Sequence, residues 1–229
     1  MQSHDGYLYA QSVQYVTGEI PGDVSSMTDG QAYRWDELYR GQGRQWRGVT
    51  DISGLGIAHG SRVLEVGCGN GKTLAALKEA GIRAVGVDFS MEAVNACRRL
   101  LPDADVVCGD LLSLPFGDGS FDCVILFHVL ENVSADDMDT AVSEIRRVLR
   151  SGGKAYVRSF ALGDMRSEKG ERISEDTVIR GNGIRYRYYS EDSLSSAFGC
   201  AYADNIRTVT ESTRFGTVRS RVEAVFTFP

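Results

Sequence analysis

An apolar strand that runs directly into a glycine-rich loop is the feature that most restricts how this chain can fold. Residues 63–73 read Val-Leu-Glu-Val-Gly-Cys-Gly-Asn-Gly-Lys-Thr, with Gly67, Gly69 and Gly71 at every second position of the loop. Glycine is needed where the backbone turns tightly or lies against a ligand, because a Cβ would clash there. A helix-forming run follows, and the unpaired N–H groups at a helix N-terminus favour the anionic end of a ligand. The segment therefore predicts a strand–loop–helix that holds a nucleotide-type cofactor.

The spacing of the glycines decides between cofactors. A dinucleotide-binding loop has the pattern G-x-G-x-x-G, whereas this loop has G-x-G-x-G. A phosphate-binding P-loop ends in G-K-[ST], as Gly71-Lys72-Thr73 does, but its first glycine would fall on Val66. The spacing thus makes a dehydrogenase the weakest interpretation and a P-loop a near miss.

Four further segments follow this loop, and the first of them carries a side chain that suits an adenosyl ligand. Asp88 ends the second apolar run, where a carboxylate can accept both hydroxyls of a ribose. The others are a Gly-Asp pair at 109–110, an apolar run at 120–133 that contains His128, and a Gly-Gly pair at 152–153.

Glu65-x-Gly67-x-Gly69-x-Gly71 resembles motif I of the class I S-adenosylmethionine-dependent methyltransferases, and the other four segments follow in the order of that family over residues 60–160. The resemblance implies S-adenosylmethionine as cofactor, S-adenosylhomocysteine as product and methyl transfer as the reaction. It also implies an α/β fold with a seven-stranded, Rossmann-like, doubly wound sheet. The strand order would be 3-2-1-4-5-7-6, with the last strand antiparallel.

The resemblance also assigns roles to residues. It implies that Asp88 contacts the ribose, and that Asp110 and the backbone N–H after it contact the edge of the adenine. The transferable methyl would lie beside the end of the fourth strand. The cofactor-binding residues that it implies are Glu65, Gly67, Cys68, Gly69, Gly71, Asp88, Phe89, Ser90, Asp110, Leu111 and Phe127.

His128 is the candidate catalytic base, because it follows the fourth strand beside the expected methyl. A structural histidine, or a backbone contact to the cofactor, is an equally good interpretation. Glu131 either orients His128 or is solvated, and solvation is the favoured interpretation. Asn132 does not begin an Asn-Pro-Pro-Tyr motif, which disfavours methylation of an adenine amino group. Three arginines, Arg158, Arg185 and Arg187, could pair with an anionic substrate. Solvation of these side chains is the alternative interpretation.

Residues 1–50 are expected to form a lid segment, and residues 51–229 the methyltransferase domain. Aromatic faces stabilise a sulfonium cation and exclude water, and this part of the chain resembles the corresponding segment of small-molecule methyltransferases such as the thiopurine and tellurite-detoxifying enzymes. Simple packing on the domain is the alternative. The lid residues would be Tyr33, Trp35, Tyr39, Trp46 and Arg47.

The C-terminal third predicts a second lid and a hairpin. A polar stretch at about 161–187 is too long for a simple connection and is interpreted as a lid-like insertion. The fifth strand should begin at Lys154, and the helix before it should follow an N-cap at Ser134. Alternating runs at 203–211 and 219–228 predict two paired antiparallel strands.

Composition excludes several classes of protein. The formal net charge is −6, which disfavours nucleic acid as a partner. No run approaches the ~18 apolar residues of a transmembrane helix, and the N-terminus does not read as a signal peptide. Five cysteines without a C-x-x-C pair indicate reduced thiols in a cytoplasmic protein, with no metal site.

The leading hypothesis is therefore methyl transfer to a small molecule by in-line displacement. Two alternatives stay open at this point, a methyltransferase of a protein side chain and a non-catalytic S-adenosylmethionine-binding protein. The acceptor atom, the acceptor molecule and the oligomeric state are not specified by the sequence.

Overall fold

A seven-stranded sheet forms the centre of the fold, and the computed structural model describes residues 30–42, 48, 50–213 and 215–229. The helices within these residues are α1 Gln31–Gln42, α2 Lys72–Glu79, α3 Met91–Leu100, α4 Met138–Val148 and α5 Glu191–Ala197. The strands within them are β1 Val63–Val66, β2 Ala84–Asp88, β3 Asp105–Cys108, β4 Phe121–Phe127, β5 Leu149–Phe160, β6 Glu171–Arg172, β7 Thr177–Ile179, β8 Arg185–Arg187, β9 Tyr202–Ser212 and β10 Val218–Thr227.

The central sheet has the order β3-β2-β1-β4-β5-β10-β9. The first five of these strands pair in parallel, and β10 pairs antiparallel with both β5 and β9. Because β9 and β10 are the sixth and seventh strands of this sheet along the chain, the predicted order and the antiparallel last strand are confirmed. The order reverses between β1 and β4, which leaves a crevice at the carboxyl ends of these strands.

Apolar periodicity explains how the layers pack. Every residue of β1 is buried, as expected of a central parallel strand covered on both faces. The helix α4 buries the apolar positions that recur at helical spacing, Met138, Ala141, Val142, Ile145 and Val148. They join one large core that extends to β10.

Serine side chains set the start of two helices. The Ser90 hydroxyl accepts the N–H of Ala93 at 3.1 Å and caps α3. Ser190 and Ser193 form a reciprocal capping box at the start of α5. The predicted cap at Ser134 is wrong by about one turn, because its hydroxyl accepts the N–H of Asp137 in a preceding turn and α4 begins only at Met138.

Two regions differ from the sequence-based expectation. The strand β5 begins at Leu149 rather than Lys154, because Leu149 already pairs with Phe121 before a shift in register. The insertion at about 161–187 contains a second, antiparallel sheet of order β6-β7-β8, which the sequence did not indicate.

The helix α1 packs against this second sheet. Gln31 donates to the carbonyl of Gly183 at 3.3 Å and accepts the N–H of Arg185 at 3.1 Å. The rings of Trp35 and Tyr186 meet edge-on with centroids 6.5 Å apart. The two segments expected to act as lids thus share one apolar cluster. None of the helices in the described ranges combines the length and apolar character that crossing a membrane requires.

Candidate active site

A cavity of about 420 Å³ lies at the carboxyl ends of β1, β2, β4 and β5. It occupies the point where the sheet order reverses, and its volume is in the range of small-molecule sites. The sequence-predicted residues that line it are Trp35, Tyr39, Glu65, Gly67, Cys68, Gly69, Asp88, Phe89, Leu111, Phe127 and His128.

The glycine-rich loop forms the floor of this cavity through backbone conformations that residues other than glycine rarely adopt. Gly67 has φ +65°, and a Cβ built on it would lie 2.5 Å from Cγ2 of Val129. Gly69 has φ +53° and donates its N–H to the Asp88 carboxylate at 2.8 Å. The loop therefore brings bare backbone against the space that a ligand would fill.

Asp88 is buried at the end of β2 with its carboxylate held by backbone donors. One oxygen accepts the N–H of Gly69 at 2.8 Å and the other accepts the N–H of Ser90 at 2.9 Å. Each oxygen keeps a second lone pair, so the carboxylate can also accept two hydroxyl groups of a ligand. Burial raises the pKa of Asp88 from 3.8 to about 6, although its two backbone hydrogen bonds lower it.

The Asp88 pKa predicts opposite pH effects on ligand binding and on stability. Lowering the pH from about 7.5 to about 5 is expected to weaken S-adenosylhomocysteine binding about tenfold, because protonation removes an acceptor that a ribose hydroxyl needs. Without ligand, the folded protein binds a proton at Asp88 more readily than the unfolded chain between pH 3.8 and about 6. The contribution of Asp88 to the free energy of unfolding therefore increases as the pH falls through this window.

Calorimetric titration and urea unfolding across this pH range measure both effects. Asp88→Asn is the control, since it keeps the size of the side chain and does not titrate. The difference between the parent protein and this variant isolates Asp88 from other buried carboxyls. Equal pH dependence in the two proteins would contradict the assignment.

Glu65 is a second buried carboxyl in the wall of the cavity. Burial raises its pKa well above 4.5, while hydrogen bonds from the Thr73 hydroxyl and the Leu74 amide lower it. Its Oε2 has no hydrogen-bond partner among the described residues. The same holds for Nε1 of Trp35 and Oδ1 of Asn132, which also line the cavity.

These unpartnered buried atoms fit S-adenosylmethionine. Leaving a buried polar group without a partner costs about 1–3 kcal/mol, so such atoms mark places where a ligand completes the hydrogen bonding. The ligand carries an ammonium group that can donate a hydrogen bond to Glu65. It also carries ribose hydroxyls that can donate hydrogen bonds to Asp88. The exposed backbone at Gly67 and Gly69 leaves room for it.

Four predicted residues do not line the cavity. Gly71 lies against α3, since a Cβ on it would meet Sγ of Cys97 at 2.5 Å. Ser90 uses its hydroxyl to cap α3 and to donate to Asp36. Asp110 accepts the N–H of Leu112 within its own turn at 2.9 Å. Tyr33 is 67% exposed.

Two further predicted lid residues, Trp46 and Arg47, lie outside the described residues.

The Gly-Asp segment still reaches the cavity, but through the neighbours of its aspartate, Gly109 and Leu111. The contact from the Asp110 side chain to an adenine stays a prediction.

His128 and Glu131 form a hydrogen-bonded pair at the end of β4. The Nδ1 atom of His128 lies 3.0 Å from Oε1 of Glu131, and the same oxygen accepts the N–H of Phe160 at 2.7 Å. Glu131 is only 1% exposed, so the interpretation of Glu131 as solvated is wrong. The turn at His128 has φ +61°, which makes it the one non-glycine residue with positive φ in the described part of the chain. Such strained backbone is concentrated at functional sites.

Arginines at the far end of the cavity were largely missed by sequence reasoning. Arg166, Arg219 and Arg221 line the cavity together with Arg158. Alternation along β10 places Arg219 and Arg221 on one face of the strand, but it does not indicate which face points to the cavity. Arg185 and Arg187 do not line it, and Arg187 pairs with Asp176 at 2.8 Å.

Metal-binding chemistry has no candidate site in the ranges that the structure describes, where no group of three or more His, Cys, Asp or Glu side chains could hold an ion. All five cysteines are free thiols.

Comparison with known sequences identifies the central part of the chain. The family described as "Methyltransferase domain" matches residues 64–157. Demethylmenaquinone methyltransferase of Renibacterium salmoninarum is 36% identical over 145 residues, which are 62% of this chain and 60% of that protein. The enzyme of the same name from Beutenbergia cavernae is 40% identical over 145 residues, 62% of this chain and 59% of the relative. The chain thus spans about 60% of the length of these relatives.

Solved structures share the fold. An S-adenosylmethionine-dependent methyltransferase from Methanosarcina mazei superposes with a TM-score of 0.70 at 20% identity, over 80% of this chain and 99% of that one. The 1,6-didemethyltoxoflavin-N1-methyltransferase of Burkholderia thailandensis, solved with S-adenosylhomocysteine, gives a TM-score of 0.58 at 20% identity over 74% of this chain and 72% of that one. With the sheet order, the glycine-rich loop and the matched family, these likenesses confirm the resemblance. Residues 64–157 thus match the methyltransferase-domain family, and together with the fold they support a class I S-adenosylmethionine-dependent methyltransferase with S-adenosylmethionine as its cofactor.

Proposed function

We propose that this protein transfers a methyl group from S-adenosylmethionine to a small molecule, with His128 as the general base. The observation that carries the proposal is the His128–Glu131 pair, at 3.0 Å, whose histidine lines the same cavity as Glu65 and Asp88. A protein that only binds the cofactor has no use for a base held by a buried carboxylate beside the ligand.

The residues of the cavity have separate roles in the reaction. When bound, S-adenosylmethionine supplies an electrophilic methyl group on a sulfonium. Asp88 and Glu65 hold the ligand at its ribose and ammonium groups. Glu131 accepts the Nδ1–H of His128, which leaves the lone pair on Nε2 to take a proton from the acceptor. The carboxylate then stabilises the imidazolium that forms.

Closure by aromatic side chains supports a small acceptor over a protein side chain. Trp35 and Tyr39 are buried and line the cavity beside the cofactor loop. The α1 helix that carries them is tied to the second sheet, so both act together as a lid that excludes water. A protein side chain would need an open groove leading to His128.

The names of the relatives supply one specific acceptor to test. They are called demethylmenaquinone methyltransferases, and a quinone-type acceptor is one small-molecule class for this site. The match covers only part of each protein, so demethylmenaquinone is tested beside small phenols and thiols.

Two measurements test the proposed function. Calorimetric titration with S-adenosylhomocysteine and with NAD is expected to give binding of the adenosyl compound alone. Methyl transfer from radiolabelled S-adenosylmethionine is then measured with each acceptor of the panel. Binding of NAD, or binding of neither compound, would contradict the proposal at its first step. Binding of S-adenosylhomocysteine with transfer only to a protein would favour the protein-methylating alternative.

Glu131→Gln is expected to lower the rate of methyl transfer about tenfold and to leave S-adenosylhomocysteine affinity unchanged. Glutamine can still accept the Phe160 N–H, so the turn is kept, but it cannot stabilise a protonated His128. Single-turnover rates and their pH profile measure the effect. Glu191→Gln is the matched control, since Glu191 lies outside the cavity and accepts from Thr208 at 2.7 Å. An unchanged pH profile in Glu131→Gln would argue against a base at His128.

A further inference from the structure

The end of the cavity beyond His128 has guanidinium groups on its wall. We call this the acceptor end, and it is lined by Phe127, His128, Phe160 and the four arginines Arg158, Arg166, Arg219 and Arg221. Asp51 and Glu211 are the carboxylates that also line the cavity here. Neither the family nor the general methyl-transfer reaction requires a cationic wall at this place.

Strand register explains why the arginines share one face of the sheet. Arg158 on β5 lies opposite Glu223 on β10, and Phe160 lies opposite Arg221. Side chains two residues apart on a strand point to the same face. The arginine on β5 and those on β10 therefore belong to the face that continues from the cavity toward the edge of the sheet.

Arg166 is paired with the buried Asp164 at 2.9 Å, but carboxylates of the protein do not use up the other cations. Glu223 is shared by three guanidinium groups, those of Arg158 at 3.2 Å, Arg221 at 2.8 Å and Arg207 at 3.0 Å. Within the described residues, Glu211 also pairs with this group, through Arg221 at 2.6 Å. Arg219 and Asp51 line the same end of the cavity, so four arginines, Arg158, Arg207, Arg219 and Arg221, face three carboxylates, Glu223, Glu211 and Asp51. The Arg cluster around Glu223 is thus left with one excess positive charge.

Arg158 has unused donors in a mostly buried position. Its side chain is 17% exposed, and its Nε lies 3.2 Å from Oε1 of Glu223. Within the described residues, its two terminal amino groups make no hydrogen bond to the protein. Its guanidinium lies 4.1 Å from the centroid of the Phe127 ring, directly beside His128 in sequence. Burial lowers the pKa of Arg158, and the nearby Arg221 and Arg207 lower it further, while Glu223 and Asp51 raise it.

Aromatic rings complete this end of the cavity. The His128 and Phe160 rings lie 4.6 Å apart, and the Arg166 guanidinium lies 4.6 Å from the Phe160 centroid. Aromatic faces favour stacking with a planar ring of a ligand. The planar guanidinium group of an arginine can donate two parallel hydrogen bonds to the two oxygens of a carboxylate.

We propose that the methyl acceptor is an aromatic carboxylate whose carboxylate group is bound by the terminal amino groups of Arg158. The inference rests on the proposed function and names its substrate class. The acceptor's ring lies between the aromatic side chains, where His128 can reach a hydroxyl of the ring. Bound in this way, the carboxylate neutralises the excess charge around Glu223.

Paired probes that differ only in charge test this inference. The protein is saturated with S-adenosylhomocysteine and titrated by calorimetry with salicylate and 4-hydroxybenzoate, and with their uncharged amides. At least one carboxylate is expected to bind about tenfold or more tightly than its amide. Equal affinity within both pairs, or no binding of any probe to the loaded protein, would overturn the inference.

Arg158→Met is expected to reduce carboxylate affinity to that of the amide, and Arg158→Lys to give an intermediate value. Glu223 keeps Arg207 and Arg221 in these variants, so no buried charge is left alone. Arg207→Met is the matched control, because Arg207 pairs with the same carboxylate but does not line the cavity. Unchanged carboxylate affinity in Arg158→Met would overturn the assignment. Failure to bind S-adenosylhomocysteine would instead count against the proposed function.

Discussion

Asp88→Ala is expected to weaken S-adenosylhomocysteine binding by about 2 kcal/mol, roughly thirtyfold, while the protein remains folded. The carboxylate is the acceptor that this site offers to the ribose hydroxyls, and hydrogen bonds to charged groups are stronger than those between neutral groups. The variant also frees the N–H groups of Gly69 and Ser90, which now lack their acceptor. The loop that faces the ligand therefore loses its support together with the ligand contact.

Calorimetric titration at pH 7.5 measures this loss. Asp105→Ala is the control, since Asp105 begins the neighbouring strand β3, has a pKa that burial also raises, and does not line the cavity. Asp88→Asn separates the two effects of the main variant, because the amide oxygen can keep one backbone donor while the charge is lost. An Asp88→Ala protein that binds as tightly as the parent would remove Asp88 from the ribose site.

Local constraints explain why so much of the cofactor half could be predicted. Gly67 and Gly69 lie where positive φ is required, and Asp88 lies at the end of a strand that pairs next to β1. These requirements act within a few residues, so they leave a clear pattern in the sequence. Ser90 shows the limit of such patterns: the resemblance placed it among the cofactor-binding residues, but its hydroxyl caps α3 and donates to Asp36.

Long-range contacts explain what could not be predicted. The burial of Glu131 depends on the N–H of Phe160, which lies on another strand. The second sheet is built from strands of two or three residues, which are too short to show alternation. The cationic wall depends on the pairing of β5 with β10. The alternation along β10 is visible in the sequence, but the sequence does not show which side of the strand faces the cavity.

Gly67→Ala is expected to lower the free energy of unfolding by about 3 kcal/mol. An alanine at φ +65° has a backbone cost of about 1–2 kcal/mol, and overpacking adds about 1–3 kcal/mol. The second term arises because the new Cβ would lie 2.5 Å from Cγ2 of Val129, in the turn that carries His128. Urea unfolding without ligand measures the loss. The loop and the His128 turn are thus packed against each other, so the variant should also weaken S-adenosylhomocysteine binding.

Gly56→Ala separates the two terms of this cost. Gly56 has φ +62° and no atom within 4 Å of a built Cβ, so its variant should lose only the backbone term of about 1 kcal/mol. Val129→Ala provides a second test, since combining it with Gly67→Ala removes the clash and should restore about 1 kcal/mol or more relative to additive losses. Equal stability of the Gly67→Ala and Gly56→Ala proteins would mean that Val129 does not press on the loop. The glycine-rich loop and the His128 turn would then be independent, and a substitution in one would not alter the packing of the other.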